Sequence, residues 1–298
     1  MQQWIDAQYA ADALPEPASI EFIRHLHREF YRDAPATMLR IDGDARSDLM
    51  KAGEMRSRRE HDNVVGRHQP PGSDRVQVFM KYFQKRYAFR AWSPATRLLA
   101  LAAAHHRFNF IHPFPDGNGR VSRLMSHAMA LQAGIGAHGL WSISRGLARG
   151  LAHPSEYKSN MDDADSPRQG DLDGRGNLSQ RALAIFTTWF LKVCLDQVRF
   201  MRELFELNRL SDRLQRYAAM NDWRDEAARL LIEILHRGEI ARGDAALITG
   251  LSERTSRDIL RTLIDNGVVG SIIPKGPVSL RFPVKSLDVL FPRLFLQT

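Results

Sequence analysis

His112-Pro-Phe-Pro-Asp-Gly-Asn-Gly-Arg-Val-Ser-Arg123 brings together a candidate base, a carboxylate, a glycine-flanked run of backbone N–H groups and two arginines one helical turn apart. Asp116-Gly117-Asn118-Gly119 cannot continue a helix, because glycine at alternate positions favours turns and positive φ. From Arg120 onward, Val121, Leu124, Met125, Ala128 and Leu131 recur at helical spacing until Gly134 and Gly136 stop the run. The stretch predicts a glycine-rich loop that opens onto a helix N-terminus.

That geometry suits anions. The first turn of a helix leaves N–H donors without partners and carries roughly half a positive charge, so phosphate oxygens find both hydrogen bonds and field there. Arg120 and Arg123 lie three residues apart, where two guanidinium forks can reach one polyphosphate. Asp116 is placed to share Mg²⁺ with phosphate oxygens, the usual way this strongly hydrated ion is held at nucleotide sites. His112 is the one group in the stretch whose ordinary titration lies near neutrality, which fits it to accept a proton. Taken singly, each feature is ordinary: a histidine before proline is a loop or core residue, Asp-Gly-Asn-Gly is a turn, and two arginines at i, i+3 are a solvated helix face. A plain turn, however, has no need of a base before it and paired cations after it.

The stretch resembles the signature of the Fic family, His-Pro-Phe-x-Asp/Glu-Gly-Asn-Gly-Arg-x-x-Arg, and matches every defined position. The similarity extends outward. ATRLLALAAAHHRFN, from Ala95, resembles the helix leading into a Fic loop. Ala52-Gly-Glu-Met-Arg56 with Val64-Val-Gly-Arg-His68 resembles the segment of the family's β-hairpin flap, and the stretch from Tyr157 to Leu178 resembles the region after the core in longer bacterial members. The resemblance implies ATP-dependent transfer of AMP, with Mg²⁺, to a Tyr, Thr or Ser hydroxyl of a target protein. Position by position, it implies His112 as the base and Asp116 as the Mg²⁺ ligand. Asn118, with the backbone of Gly117 and Gly119, would hold the α-phosphate where charge develops, and Arg120 and Arg123 the outer phosphates. Phe114 would anchor the loop. Pro113 and Pro115 fit independently, since each fixes φ and stiffens a loop that must hold its groups in place.

Composition agrees with a soluble enzyme without demanding one. The chain has 298 residues, 44% hydrophobic and 26% charged, enough for one large or two ordinary domains. No transmembrane run or signal peptide is visible. The single Cys194 excludes an internal disulfide and lies in an apolar run, so a buried role in a reducing cytoplasm is the expectation.

The expected fold class is mainly α: a helical Fic core with a small β-hairpin flap, followed by a winged helix-turn-helix domain. Ser19 reads as an N-cap before Ile20, Ile23, Leu26 and Phe30; RVQVFMKYFQKRY, from Arg75, reads as an amphipathic helix; and Ser179 caps a long helix through Phe200. Asn63-Val-Val-Gly66 is the one early strand signal. From about Trp223 a helix, a short helix, a turn at Gly250 and a helix from Ser252 precede two β-type runs, at 268–273 and 278–282. Arg254, Arg257 and Arg261 are expected on the outer face of that last helix, where a DNA-reading helix places its contacts. The expected layout is an N-terminal extension over 1–18, the catalytic domain over 19–205, a helical linker over 206–222 and the winged domain over 223–298.

The charge distribution tempers the DNA expectation. Residues 225–298 hold ten Lys or Arg against nine Asp or Glu, so most of the formal +8 falls in the earlier part, as an ATP site or a preference for acidic protein targets would require. Two classes of function stand. One is an AMP transferase, or a transferase of another phosphate-containing group. The other is a nucleotide-responsive DNA-binding regulator, which needs the phosphate cradle but not the base. Many Fic proteins carry an inhibitory Ser/Thr-x-x-x-Glu-Gly/Asn helix whose glutamate pairs with the second motif arginine, here Arg123. The nearest stretch, Thr249-Gly-Leu-Ser-Glu253-Arg254, departs from that pattern, which points to a separate inhibitory protein or to none. A second copy of the chain and DNA complete the partners to be tested; a membrane is not among them.

Overall fold

The computed structural model describes residues 1–41, 48–62, 64, 67–88, 92–136 and 141–294. It is mainly helical and divides into two units, Met1–Val198 and Arg199–Thr298. No helix among the described residues is long and apolar enough to cross a membrane.

The first unit is assembled around two helices joined by one short loop. α1 (Gln2–Ala10) is followed by α2 (Ile20–Phe30), whose N-cap Ser19 accepts from Phe22 N–H, in line with the sequence. α3 (Val76–Arg86) precedes α4 (Pro94–Ile111) and α5 (Asn118–Gln132), the most extensively packed pair of the unit. α6 (Ile143–Arg149), α7 (Glu156–Ala164) and the long α8 (Gln180–Leu204) follow, the last six residues of α8 belonging to the second unit. The apolar periodicity after Arg120 is real. Val121, Met125 and Ala128 are fully buried, but the helix starts two residues earlier than the pattern suggests because Asn118 is already in it. Within residues 1–18, Ile5 is fully buried and α1 lies on α5, with Asp6 accepting from His127 Nε2 at 2.7 Å. Cys194 is buried, and burial pushes its thiol up to about 12, which leaves it inert.

The expected β-hairpin is only partly addressed. Asn63, Val65 and Gly66 lie outside the described residues, and the antiparallel pair that is described forms earlier, between β1 (Arg40–Ile41) and β2 (Asp48–Leu49). The 52–56 segment is instead drawn inward, with Arg56 buried.

In the second unit α9 (Leu207–Met220) packs on α10 (Asp225–Arg237). The helical linker expected over 206–222 therefore gives way to a core element: Leu210, Leu214 and Tyr217 join Leu230, Leu231 and Ile234 in one apolar cluster. β3 (Glu239–Ile240), α11 (Ala245–Thr249), α12 (Glu253–Asp265), β4 (Val269–Gly270), β5 (Val278–Leu280) and α13 (Leu287–Leu290) complete the unit. The strands form one antiparallel sheet in the order β3-β5-β4. Gly250 in the left-handed region ends α11, Ser252 caps α12, and a bond between the buried Thr249 and Ser256 hydroxyls at 2.7 Å pins the turn between them.

Candidate active site

The loop between α4 and α5 carries the site. α4 ends because Pro113 disfavours a helical residue before it. His112 takes the left-handed conformation, φ 49°, with its N–H still bonded to Phe108 O at 3.0 Å. A β-carbon makes that conformation costly, of order 1 kcal/mol, so something must hold it. The holder is Arg56. Its buried guanidinium donates to His112 O (2.7 Å), Ile111 O (3.1 Å) and Pro71 O (2.9 Å) and pairs with Asp62, while its own N–H bonds Pro113 O at 2.8 Å. One side chain thus caps the end of α4 and fixes the first peptide of the loop.

The rest of the loop is closed from within. Asn118 is buried and spends its side-chain amide on Phe114, donating to Phe114 O (2.7 Å) and accepting from Phe114 N–H (2.9 Å). The side chain expected to touch the α-phosphate is therefore a staple that shapes the loop. The Phe114 ring is fully buried against His27 (centroids 4.0 Å apart). His27 accepts from Gly53 N–H at Nδ1 (2.8 Å), so Nε2 carries the proton and donates to Asp116 O at 3.1 Å. Burial holds His27 down at about 4, so this bridge from residue 53 to the loop stays neutral.

No side chain caps α5, so the N–H groups at its start keep their capacity for an anion. Gly117 sits at φ 82°, and a Cβ there would lie 2.8 Å from the Tyr31 ring and hydroxyl. Glycine is required twice over, by conformation and by space. Gly119 leaves room for Arg123, whose guanidinium would press at 3.3 Å on any Cβ at that position. Arg123 forms no ion pair among the described residues. Together with Arg120, Phe30, Leu124 and Ser144 it lines a cleft of about 250 Å³.

Asp116 and Arg120 face each other through Tyr31. The Tyr31 hydroxyl donates to Asp116 Oδ2 (2.7 Å) and accepts from Arg120, which also reaches Oδ2 at 3.2 Å and lies over the Phe30 and Tyr31 rings. Burial opposes ionisation of Asp116, but the Tyr31 hydroxyl, the Gly117 N–H and Arg120 outweigh it and hold the carboxyl below its ordinary range. Burial, reinforced by Asp116, pushes Tyr31 up to about 12. The Asp116 side chain remains 57% exposed. No group of three or more potential metal ligands occurs among the described residues, so a cation here needs phosphate and water oxygens beside the one carboxylate, a set that suits Mg²⁺ and not Zn²⁺.

His112 does not titrate near neutrality as expected. Burial first, then the neighbouring Arg56 and His68, lower it to about 4, so at neutral pH it is an unprotonated acceptor. His68, whose ring centroid lies 6.4 Å away, is held by Phe110 O at 2.9 Å and by Asp165 at 2.7 Å. The residues that sequence reasoning misses are thus Tyr31, His27, Arg56 in this role, and Asp165. Only His27 leaves a trace: a histidine on the apolar face of a helix that also carries Ile23 and Leu26.

Residues 17–130 match the Fic/DOC family, a span that contains the whole of this loop and both flanking arginines. That stretch is similar to the Fic/DOC family. Proteins named protein adenylyltransferase Fic from Drosophila virilis, Drosophila willistoni and Aedes aegypti are 34%, 36% and 33% identical to this chain over 87 residues, or 29% of its length. The match spans 17% of the length of these curated relatives. A Fic domain containing signaling protein from Bacteroides thetaiotaomicron superposes with a TM-score of 0.46 at 19% identity, covering 67% of each chain. A Fic family protein from Desulfovibrio desulfuricans superposes with 0.45 at 20% identity, covering 93% of this chain and 73% of that one.

Two outcomes test the architecture of the loop between α4 and α5. Gly117→Ala should lower stability by more than about 1 kcal/mol and break the Tyr31–Asp116 contact, read by urea unfolding and by loss of the raised Tyr31 titration. Arg56→Ala should cost about 3–5 kcal/mol, because several buried carbonyls and Asp62 lose their partner at once. Wild-type stability in the second variant would mean that the loop holds itself.

Proposed function

We propose that the chain is a protein adenylyltransferase, moving AMP from ATP to a hydroxyl side chain of a target protein. The observation that carries this reading is the pairing of an unprotonated, positioned His112 with an uncapped helix start flanked by Arg120 and Arg123. A phosphate cradle alone serves sensing; a proton acceptor beside it serves transfer. The matched relatives carry adenylyltransferase in their names.

In this mechanism the triphosphate lies at the start of α5, with its α-phosphate on the N–H groups of Asn118 and Gly119 and its outer phosphates on Arg120 and Arg123. His112 takes the proton of the target hydroxyl as that oxygen attacks the α-phosphorus. The new P–O bond forms, the bond to the bridging oxygen breaks, and pyrophosphate leaves with its electron pair. Asp116 would hold Mg²⁺, which neutralises the phosphates when bound. For this the Asp116–Arg120 pair must open, freeing carboxylate and guanidinium together. The Asn118 side chain contributes by keeping the N–H groups aimed. No carboxylate among the described residues neutralises Arg123, so ATP binding needs no displacement there. For the second unit we infer a winged helix-turn-helix domain, on the order of its helices and its three-stranded sheet. Its α12 presents Arg254, Arg257 and Arg261, although Glu253 and Asp258 pair with the latter two, so DNA and protein both stand as its partner.

Incubation of the full chain with labelled ATP, Mg²⁺ and host lysate is the direct test. His112→Ala should lower AMP transfer by about 10²–10⁴-fold with ATP affinity nearly unchanged; transfer at the wild-type rate would end the base assignment. With His112 at about 4, transfer should hold as pH falls through 6.5 and be lost only towards 4, where the acceptor becomes protonated. Arg123→Ala should weaken ATP by about 1.5–3 kcal/mol and AMP far less, measured by titration calorimetry. In the full chain, Ala at 254, 257 and 261 should abolish any salt-sensitive duplex binding and leave AMP transfer untouched. Failure of the wild-type chain to bind duplex at low ionic strength would assign the unit to protein contact.

A further inference from the structure

A second opening in the first unit is larger than the nucleotide cleft. It is a groove of about 790 Å³ between α3, α4 and the 174–183 segment, in the size range of ligand sites. Its walls are apolar: Phe79, Phe83 and Tyr87 from α3 and the residue after it, Trp92, and Leu99 from α4. Two of the large apolar side chains on it are freely accessible, Tyr82 at 66% and Leu99 at 55%. Lone exposed hydrophobics are common, but a continuous aromatic groove marks an interaction site.

The charge on the groove narrows the occupant. Arg75, Arg86 and Arg175 stand along it, and no Asp or Glu lines it among the described residues. None of the three forms an ion pair among those residues; Arg86 lies instead over the Trp92 ring at 5.3 Å. Arg107 is different, being committed to His106 and Ala164 O. Three uncompensated guanidinium groups on an apolar floor complement an acidic partner with aromatic or aliphatic anchors. Along α4 the groove runs between positions 96 and 111, about 22 Å at the helical rise, which accommodates roughly six or seven extended residues. It ends at Phe110 and Ile111, the two residues before His112, and the His68 ring lies tilted against Phe110 with centroids 5.3 Å apart.

We propose that this groove seats an acidic segment bearing leucine or phenylalanine, on the protein that receives AMP. The proposal rests on the transferase reading above, and it adds to His112 a means of choosing among hydroxyls: affinity comes from a segment beside the modified residue.

The test uses the full chain and a fluorescein-labelled seven-residue peptide of glutamates with one phenylalanine and one leucine; the same peptide with lysine for glutamate is the control. Fluorescence anisotropy should show binding of the acidic peptide only. Arg75→Glu/Arg86→Glu/Arg175→Glu should raise its Kd by at least about tenfold. Tyr82→Ala/Leu99→Ala, at exposed positions, should also weaken it, with circular dichroism and melting temperature confirming that both variants fold. The peptide should inhibit AMP transfer to lysate proteins while ATP binding, by calorimetry, stays unchanged. Absence of peptide binding, equal binding by the variants, or binding of dodecanoate in its place would overturn the proposal. So would a concentration-dependent dimer that the variants abolish, which would make a second copy the occupant. Peptide binding without any AMP transfer would sink the transferase reading and the substrate role but not the groove, whereas transfer that is indifferent to the charge reversal would sink the docking proposal alone.

Discussion

The buried Arg56 guanidinium is the constraint on which the candidate site depends. A helix ends with carbonyls that lack partners, and here the end of α4 must be buried while the chain turns through a left-handed histidine. Arg56 supplies the donors, reaching Ile111, His112 and Pro71 from one fork, and its charge is balanced by Asp62. The same guanidinium helps keep His112 unprotonated. One side chain thus holds the backbone at His112 and, after burial, adds to the lowering of its pKa. The second unit repeats the device: buried Arg213 donates to Leu204 O and Leu290 O, joining the end of α8 to the end of α13.

How much is legible in the sequence depends on how local each interaction is. The helix start at Ser19, the glycine-rich turn and the apolar face of α5 are set by neighbours a few residues apart, and spacing alone reveals them. The positions of His112, Asp116, Arg120 and Arg123 can be read for the same reason. Tyr31 cannot, because its partners lie 85 and 89 residues away and nothing in Glu-Phe-Tyr marks them. Asn118 misleads for a subtler reason. Asparagine at a helix start beside glycines suits a ligand contact and a loop staple equally, and only the placement of Phe114 decides between them. His112 reads at its ordinary pKa in the sequence, because burial is a property of the fold and not of the motif. The 206–222 segment reads as a spacer because its apolar residues make a face whose partner, α10, comes later in the chain.

Tyr31 also shows how the resting site is kept from collapse. Asp116 and Arg120 are four residues apart and would pair in any helix-start geometry; the exposed pair alone is worth little. The phenol between them, packed on His27 and wedged against Gly117, turns a loose pair into a fixed one. Asp116 and Arg120 thus neutralise each other, and neither is left as an uncompensated charge.

The two arginines of the motif therefore begin in different states. Arg120 is held by Asp116, Tyr31 and two aromatic faces, and a ligand must offer it more than these to move it. Arg123 is held by no carboxylate among the described residues, and its field reaches the buried His105, which burial and that charge keep at about 3. A buried neutral histidine beside this guanidinium leaves the positive charge of Arg123 undiminished toward the cleft. Under the proposed transfer, Arg123 is therefore the guanidinium that can meet an outer phosphate without first losing a carboxylate partner among the described residues, whereas Arg120 must leave Asp116. That difference is why the proposed reading expects loss of Arg123 to be felt by a triphosphate more than by a nucleotide without outer phosphates.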